Sequence, residues 1–160
     1  MRLRVIAVGT RMSAWVEAAF NDYARRLHGA ETLELVEVPP GRRSSAGKAT
    51  GDTGRAIAAE SARILELLEP RAHVVALDER GRQYTSVQLA TWLGERRQGG
   101  EPLSFIIGGP DGLGPEVLAR AQLRWSLSPL TFPHALVRVL LAEQLYRAST
   151  LLAGHPYHRQ

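Results

Sequence analysis

The sequence has no cysteine and no apolar run long enough to cross a membrane. The absence of cysteine from all 160 residues excludes disulfide bonds and thiolate zinc sites, and it is typical of proteins in a reducing cytoplasm. The apolar stretch Val5–Val8 is far too short for a signal-peptide core or for the roughly 18 residues of a membrane span. We therefore expect a cytoplasmic protein with no membrane anchor.

Lysine is nearly absent, because Lys48 is the single lysine among 20 basic residues and the others are arginine. With 16 acidic residues the formal net charge is +4. This mild excess suits a polyanionic partner, and arginine suits bidentate contacts with phosphate. Many proteins without a nucleic-acid partner carry a similar charge, however, and a biased base composition of the gene would give the same arginine count. The charge alone leaves both interpretations open.

Several common catalytic and nucleotide-binding motifs are missing. The turn Gly9–Arg11 lacks the further glycines of a dinucleotide-binding fingerprint, and no loop ends in Gly-Lys-Ser or Gly-Lys-Thr. No Gly-x-Ser-x-Gly elbow surrounds Ser126 or Ser128, which argues against a serine hydrolase. His155 and His158 have no carboxylate at ligand spacing beside them. We therefore expect no metal site.

Strand and helix patterns alternate along the chain. Five short apolar segments are typical of strands: Leu3–Val8, Leu33–Val38, His73–Leu77, Leu103–Ile107 and Trp125–Leu127. Helical spacing of apolar residues lies between them, and a long helix is predicted from Pro133 to Gly154. The alternation predicts one α/β domain over residues 1–160, with a mostly parallel sheet flanked by helices. Leu103–Ile107 has no charge and is expected near the centre of the sheet.

Three local patterns refine this prediction. Asp78–Gly81 predicts a turn after the third strand, and Thr85 with Gln88 predicts a capping box at the start of the next helix. Gly41–Gly54 is small and polar, with Lys48 and several arginines, and predicts a mobile loop. That loop is either a solvated linker or a contact for RNA.

In a parallel sheet, ligands bind outside the carboxyl ends of the strands. The fourth strand is followed by the glycine-rich segment Gly108–Gly114, where backbone amides can approach a ligand closely. A tight connection from strand to helix would need glycine as well. The segment Ser126–His134 is a stiff polar loop in which Thr131 is placed to cap the last helix. It could hold an adenine by its edge or serve only as a helix entry.

Four segments together resemble one family of RNA methyltransferases. They are Ile107–Gly112, Leu127–His134, Arg138–Ala148 and His155–Arg159. In this order and at these separations they closely resemble the bacterial enzymes of the SPOUT class that methylate N3 of a pseudouridine in 23S ribosomal RNA of the large subunit. Val5–Gly9 and Glu37–Pro39 match as well, so the resemblance runs the whole chain. It implies S-adenosylmethionine as cofactor, a deep C-terminal trefoil knot and a homodimer.

The resemblance also implies which residues bind the cofactor: Leu77, Gly108, Gly109, Leu127, Ser128, Pro129, Leu130, Thr131 and Phe132. The polar C-terminal tail, Tyr157, His158 and Arg159, supplies the candidates for catalysis. His158 could accept a proton at neutral pH, and Arg159 or Arg138 could hold phosphate or offset negative charge on the base. The alternative is that the tail only closes the cofactor pocket or the dimer.

The expected partners are ribosomal RNA, within the large subunit or the assembled ribosome, and a second copy of the chain. Two other functions stay open: a catalytically inactive ribosome-binding protein of SPOUT fold, and a SPOUT methyltransferase that acts on another RNA such as tRNA. The intact loops at Gly108 and Leu127 favour a working cofactor site over the first. Only the resemblance favours ribosomal RNA over transfer RNA as the substrate.

Overall fold

A computed structural model of the chain describes residues 1–43 and 50–159, apart from the side chains at positions 50, 51 and 158. The strands are β1 (Arg2–Val8), β2 (Thr32–Val38), β3 (His73–Gln83), β4 (Leu103–Ile107) and β5 (Leu123–Ser126). The helices are α1 (Ala14–Arg26), α2 (Thr50–Leu67), α3 (Ser86–Gly99), α4 (Pro115–Arg120) and α5 (His134–Ala153), followed by a 3₁₀ turn at Pro156–Arg159. The predicted alternation of strands and helices is confirmed.

The five strands form one parallel sheet in the order β2-β1-β4-β3-β5. All five residues of β4 are buried, and β4 is the central strand, as its lack of charge predicts. Because every strand runs in the same direction, their carboxyl ends meet at one edge of the sheet. The loops that follow β3, β4 and β5 are therefore brought together at that edge.

Alternate side chains of the strands supply two separate cores. Leu3, Val5 and Ala7 of β1 pack with α1, α3 and α5 on one face of the sheet. Ile6 and Val8 pack with α2 and α4 on the other face. Successive side chains of a strand point to opposite faces, and here both faces are covered by helices. This is why β1 is continuously apolar from Val5 to Val8.

The predicted helix boundaries of α3 and α5 are confirmed by their caps. The backbone N–H of Gln88 donates to Thr85 Oγ1 at 3.1 Å, and the Thr85 N–H donates to Gln88 Oε1 at 2.9 Å, which makes the capping box. At their other ends, Gly100 (φ 71°) and Gly154 (φ 70°) take the left-handed conformation that terminates a helix.

The turn predicted at Asp78–Gly81 is wrong, because β3 continues through it to Gln83. Leu77 and Arg82 both pair with Trp125 of β5, so the residues between them bulge out of the ladder. Gly81 makes this possible, since a Cβ there would lie 2.6 Å from the backbone of Arg124. The bulge carries residues 78–81 towards the carboxyl edge of the sheet.

The loop predicted over Gly41–Gly54 is wrong for its last five residues, since α2 begins at Thr50. Asp52 lies in the first turn of that helix, where a negative charge is favoured by the helix dipole. Residues 44–49, which include Lys48, lie outside the described residues. Residues 41–43, by contrast, are held by specific contacts that are described below.

Candidate functional site

A cavity of about 660 Å³ lies at the carboxyl edge of the sheet, within the size range of small-molecule sites. The end of β3, the loops after β4 and β5, and the start of α5 surround it. Eight of the nine residues predicted to bind the cofactor line this cavity: Leu77, Gly108, Gly109, Leu127, Ser128, Leu130, Thr131 and Phe132. Pro129 is not among the lining residues. The predicted set therefore converges in space on one cavity.

The segment Gly108–Gly114, called here the glycine loop, is folded tightly back on itself. The N–H of Gly112 donates to the Gly109 carbonyl at 3.0 Å, and Gly112 has a φ of 79°. A Cβ on Gly108 would lie 2.8 Å from the carbonyl carbon of Gly112. Only glycine fits at position 108 without a shift of the backbone. The loop thus presents its bare backbone to the cavity.

The loop after β5 is shaped by its own serines. Ser126 Oγ donates to the Ser128 carbonyl at 2.9 Å, and Ser128 Oγ accepts the N–H of Leu130 at 3.0 Å. Such local bonds fix the backbone before any ligand arrives. Leu130 is left 69% exposed where it lines the cavity, so its side chain is accessible to a ligand.

The prediction that Thr131 caps α5 is wrong. The helix begins two residues later than a Thr131 cap would need, so the N-cap position is Pro133. Pro133 makes no side-chain cap hydrogen bond. Thr131 Oγ1 instead donates to Glu79 Oε2 at 3.1 Å. This bond joins the loop after β5 to the bulge of β3 across the cavity.

The proposed contact between Arg138 and phosphate is also wrong, because Arg138 is 1% exposed. Its guanidinium donates to Glu37 Oε2 at 2.7 Å and to the Gly9 carbonyl at 2.8 Å. These bonds tie α5 to the carboxyl ends of β1 and β2. A lone arginine in an amphipathic helix pattern gives no sign in the sequence that it is buried.

One polar network beside the cavity was missed by the sequence analysis. Glu60 of α2 is buried, and its Oε1 accepts the N–H of Gly41 at 3.0 Å and Nη1 of Arg43 at 2.8 Å. Arg43 Nε donates to Asp111 Oδ2 in the glycine loop at 2.8 Å. The hydrogen bond to Glu60 raises the pKa of Arg43, so the guanidinium stays charged. One sequence feature could have indicated this network. Glu60 lies four residues before the buried Ile64, at the helical spacing of a core residue, where a charged side chain needs a partner.

The tail packs on the middle of α5. Tyr157 Oη donates to Glu143 Oε1 at 3.1 Å, and its ring lies 4.6 Å from the ring of Tyr146. Burial raises the pKa of the Tyr157 phenol, and hydrogen bonds to Tyr23 and Glu143 raise it further. Arg159 is exposed, and the side chain of His158 lies outside the described residues.

The tail and the cavity of one chain are separated along α5. His134 lines the cavity at the start of this helix, while Glu143, which holds Tyr157, lies nine residues further on. At 1.5 Å per residue, that is about 13 Å. Neither Tyr157 nor Arg159 lines the cavity. The described side chains of the tail are therefore not brought to the cavity of their own chain.

Charges of both signs surround the cavity: Asp78, Glu79, Arg80, Asp111 and Arg124 line it. Arg80 and Arg124 are exposed and have no ion-pair partner within residues 1–43 and 50–159. The acidic side chains do not assemble into a metal site, since no group of three candidate ligands occurs among the described residues. Over the same part of the chain, no helix is both long and apolar enough to cross a membrane.

Comparison of the sequence with protein families gives a match along nearly the whole chain. The family described as "Predicted SPOUT methyltransferase" matches residues 1–158. The chain is 55% identical to a protein of Alkalilimnicola ehrlichii named "Ribosomal RNA large subunit methyltransferase H", over 99% of both chains. It is 51% identical to a protein of the same name from Thioalkalivibrio sulfidiphilus, over 100% of both chains.

Solved structures of lower sequence identity have a similar fold. A probable methylase family protein from Haemophilus influenzae Rd KW20 superposes with a TM-score of 0.56 at 14% identity, over 97% of this chain and 69% of that one. A protein from Legionella pneumophila, solved in complex with the bound cofactor S-adenosylmethionine, gives a TM-score of 0.50 at 7% identity, over 93% and 66% of the two chains. At these identities the likeness shows the shared fold alone.

Proposed function

This chain belongs to the SPOUT methyltransferase family, and on that premise we propose that it methylates 23S ribosomal RNA of the large subunit, at N3 of a pseudouridine. The observation that carries the proposal is the 55% identity, over 99% of both chains, to a protein named for methylation of large-subunit ribosomal RNA. The cavity at the carboxyl edge of the sheet supports it, because a methyltransferase needs an enclosed site where two substrates meet.

We place S-adenosylmethionine in this cavity, and the residues present fit it. Leu127, Leu130 and Phe132 offer apolar contacts, while the bare backbone at Gly108 and Gly109 can approach a polar ligand closely. The serine hydrogen bonds hold the loop after β5 ready to bind the edge of an adenine. Bound there, the cofactor supplies an electrophilic methyl group on a sulfonium. Leu77, Ser128 and Thr131 complete the proposed contacts, and Pro129 stiffens the loop.

Transfer of a methyl group to an imide nitrogen requires alignment of the two substrates and loss of the nitrogen's proton. A tyrosine is protonated at neutral pH, and burial raises the pKa of Tyr157 further, so Tyr157 serves as a hydrogen-bond donor and not as the base. His158 is our candidate to accept the proton. Arg159 is exposed and can stabilise negative charge on the base or bind phosphate. Arg80 and Arg124 at the cavity are available for further phosphate contacts.

We propose that the tail acts on the cavity of a second copy of the chain. The separation of about 13 Å along α5 supports this arrangement, because a straight helix keeps Tyr157 away from its own cavity. A two-fold dimer would bring each tail to the partner's cavity. The same dimer would enlarge the surface available to grip RNA.

We further propose that the C-terminal segment is threaded as a trefoil knot, as in the family that the sequence resembles. The resemblance of Ile107–Gly112 and Leu127–His134 to that family supports the proposal. Because its substrate is the ribosome, we place the protein in the cytoplasm.

The decisive test is incubation of the purified protein with S-adenosylmethionine labelled on its methyl group and ribosomes that lack the modification. We expect label in 23S RNA, at N3 of a pseudouridine. Label in transfer RNA alone would favour the alternative substrate. Tight binding to ribosomes without any label would favour an inactive ribosome-binding protein.

Replacing His158 by alanine is expected to lower the rate of methylation at least about tenfold, since general-base catalysis contributes at least this much. The Kd for S-adenosylmethionine, measured by calorimetry, should stay within about twofold of the wild-type value, because the base acts on the RNA and not on the cofactor. The matched control is His28→Ala, which removes an exposed histidine outside the cavity. Full activity of His158→Ala would remove His158 as the base.

A further inference from the structure

We propose that Arg43 is a positioning residue of the cofactor site, which acts by holding the glycine loop through Asp111. The inference rests on the proposed function, because it takes the cavity as the site of S-adenosylmethionine. Arg43 does not line that cavity, whereas Asp111 does. Any effect of Arg43 on the cofactor must therefore pass through another residue.

The guanidinium of Arg43 joins three separate groups. Its Nη1 donates to Glu60 Oε1 at 2.8 Å and to the Gly41 carbonyl at 3.1 Å. Its Nε donates to Asp111 Oδ2 at 2.8 Å. A planar guanidinium presents donors in a fixed fork and can hold two carboxylates at once. Arg43 therefore fixes the distance between α2 and the glycine loop.

Glu60 is the rigid end of this link. Its side chain is 3% exposed, and it lies on the buried face of α2 between Ala56 and Ile64. Within the described residues, Arg43 is its only ion-pair partner. A buried carboxylate that loses its counter-charge is strongly disfavoured, so Glu60 and Arg43 are expected to stay together.

The glycine loop is the movable end. Asp111 lies at the exposed tip of the turn that the Gly112-to-Gly109 hydrogen bond closes. Its bond to Arg43 is the only ion pair of the loop among the described residues. Behind the turn, the position of a Cβ on Gly109 lies 3.8 Å from Glu60 Oε1. Without the Arg43–Asp111 bond the turn can move away from Glu60 and α2. Binding of the cofactor must then bring the turn back into its ordered position, which weakens the affinity.

Calorimetric titration with S-adenosylmethionine tests the inference on four proteins: wild type, Arg43→Ala, Asp111→Ala and the double variant. We expect each single variant to raise Kd about tenfold, and the double variant to bind no more weakly than the weaker single variant. At saturating cofactor, kcat should stay within about threefold of wild type, because the glycine loop has the same ordered conformation as in wild type once the cofactor fills the cavity. Arg63→Ala is the matched control, since within residues 1–43 and 50–159 Arg63 pairs only with exposed Glu66 on the same helix.

Loss of Arg43 also leaves the Glu60 charge buried, and this could destabilise the fold by itself. The variant Arg43→Ala/Glu60→Gln removes that charge, so we expect its Tm to return towards wild type while its Kd stays raised. Arg43→Lys should also bind weakly, because one ammonium lacks the fork that spans both carboxylates.

An unchanged Kd in Arg43→Ala, or strictly additive effects of Arg43→Ala and Asp111→Ala, would overturn the inference. So would recovery of Kd in the Glu60→Gln background, which would assign the effect to stability alone. A wild-type protein that binds no S-adenosylmethionine would overturn the proposed function as well. The two failures are therefore distinguishable in the same set of titrations.

Discussion

Replacing Gly108 by alanine is expected to raise the Kd for S-adenosylmethionine by about ten- to a hundredfold, since steric overpacking costs about 1–3 kcal/mol. The added Cβ would lie 2.8 Å from the carbonyl carbon of Gly112 and 2.9 Å from its oxygen. These are backbone atoms, which cannot move aside as a flexible side chain can. The turn must open or shift, and it forms one wall of the cavity.

Calorimetry on Gly108→Ala measures this effect, with Gly99→Ala as the matched control. A Cβ on Gly99 would meet nothing within 4 Å, and Gly99, the last residue of α3, does not line the cavity. The control should bind the cofactor normally and be as stable as wild type or slightly more so. Normal cofactor binding by Gly108→Ala would show that the glycine loop does not hold S-adenosylmethionine.

Hybrid dimers of two inactive variants are expected to recover about half of the wild-type activity, because one of their two sites is intact. One subunit carries Gly108→Ala, which damages its cavity and leaves its tail intact. The other carries His158→Ala with Arg159→Ala, which damages the tail and leaves the cavity. If each tail serves the partner's cavity, the intact tail and the intact cavity meet in the hybrid.

The hybrid is obtained by co-expression of the two variants with different affinity tags and sequential purification on both. Transfer of labelled methyl groups to ribosomes, at a concentration of S-adenosylmethionine near the wild-type Kd, is then compared with each parent homodimer, both of which should be at least about tenfold less active than wild type. A hybrid with no more activity than its parents would mean that tail and cavity act within one chain. Purified hybrids also establish that the two variants still associate.

The parts of the site that rest on local chemistry were accessible from the sequence. β4 was placed at the centre of the sheet because five consecutive uncharged residues, four of them apolar, can be buried on both faces. Once β4 was placed, the glycine loop followed at the edge where ligands bind. The segment Ser126–His134 stood out as a stiff polar loop because its prolines and serines fix a backbone locally, and the family resemblance assigned Leu127–Phe132 within it to the cofactor. These features need no knowledge of distant residues.

The parts that failed depend on contacts between distant segments. Arg138 and Glu37 are 101 residues apart in the sequence, and Arg43 and Asp111 are 68 apart. Helical periodicity indicates which face of a helix is buried, but not which charged residue finds a partner there. The turn predicted at Asp78–Gly81 failed for a related reason, since Leu77 and Arg82 both pair with Trp125 of β5 and keep the residues between them within β3 as a bulge.

The helix α5 sets the separation between the two ends of the site. Its 20 residues span about 30 Å, with His134 beside the cavity at its start and the polar tail after its end. Insertion of one residue would rotate everything that follows by about 100° and would move Tyr157 off the face that Glu143 occupies. Across related chains, we therefore expect the length of α5 to vary far less than the residues on its exposed surface.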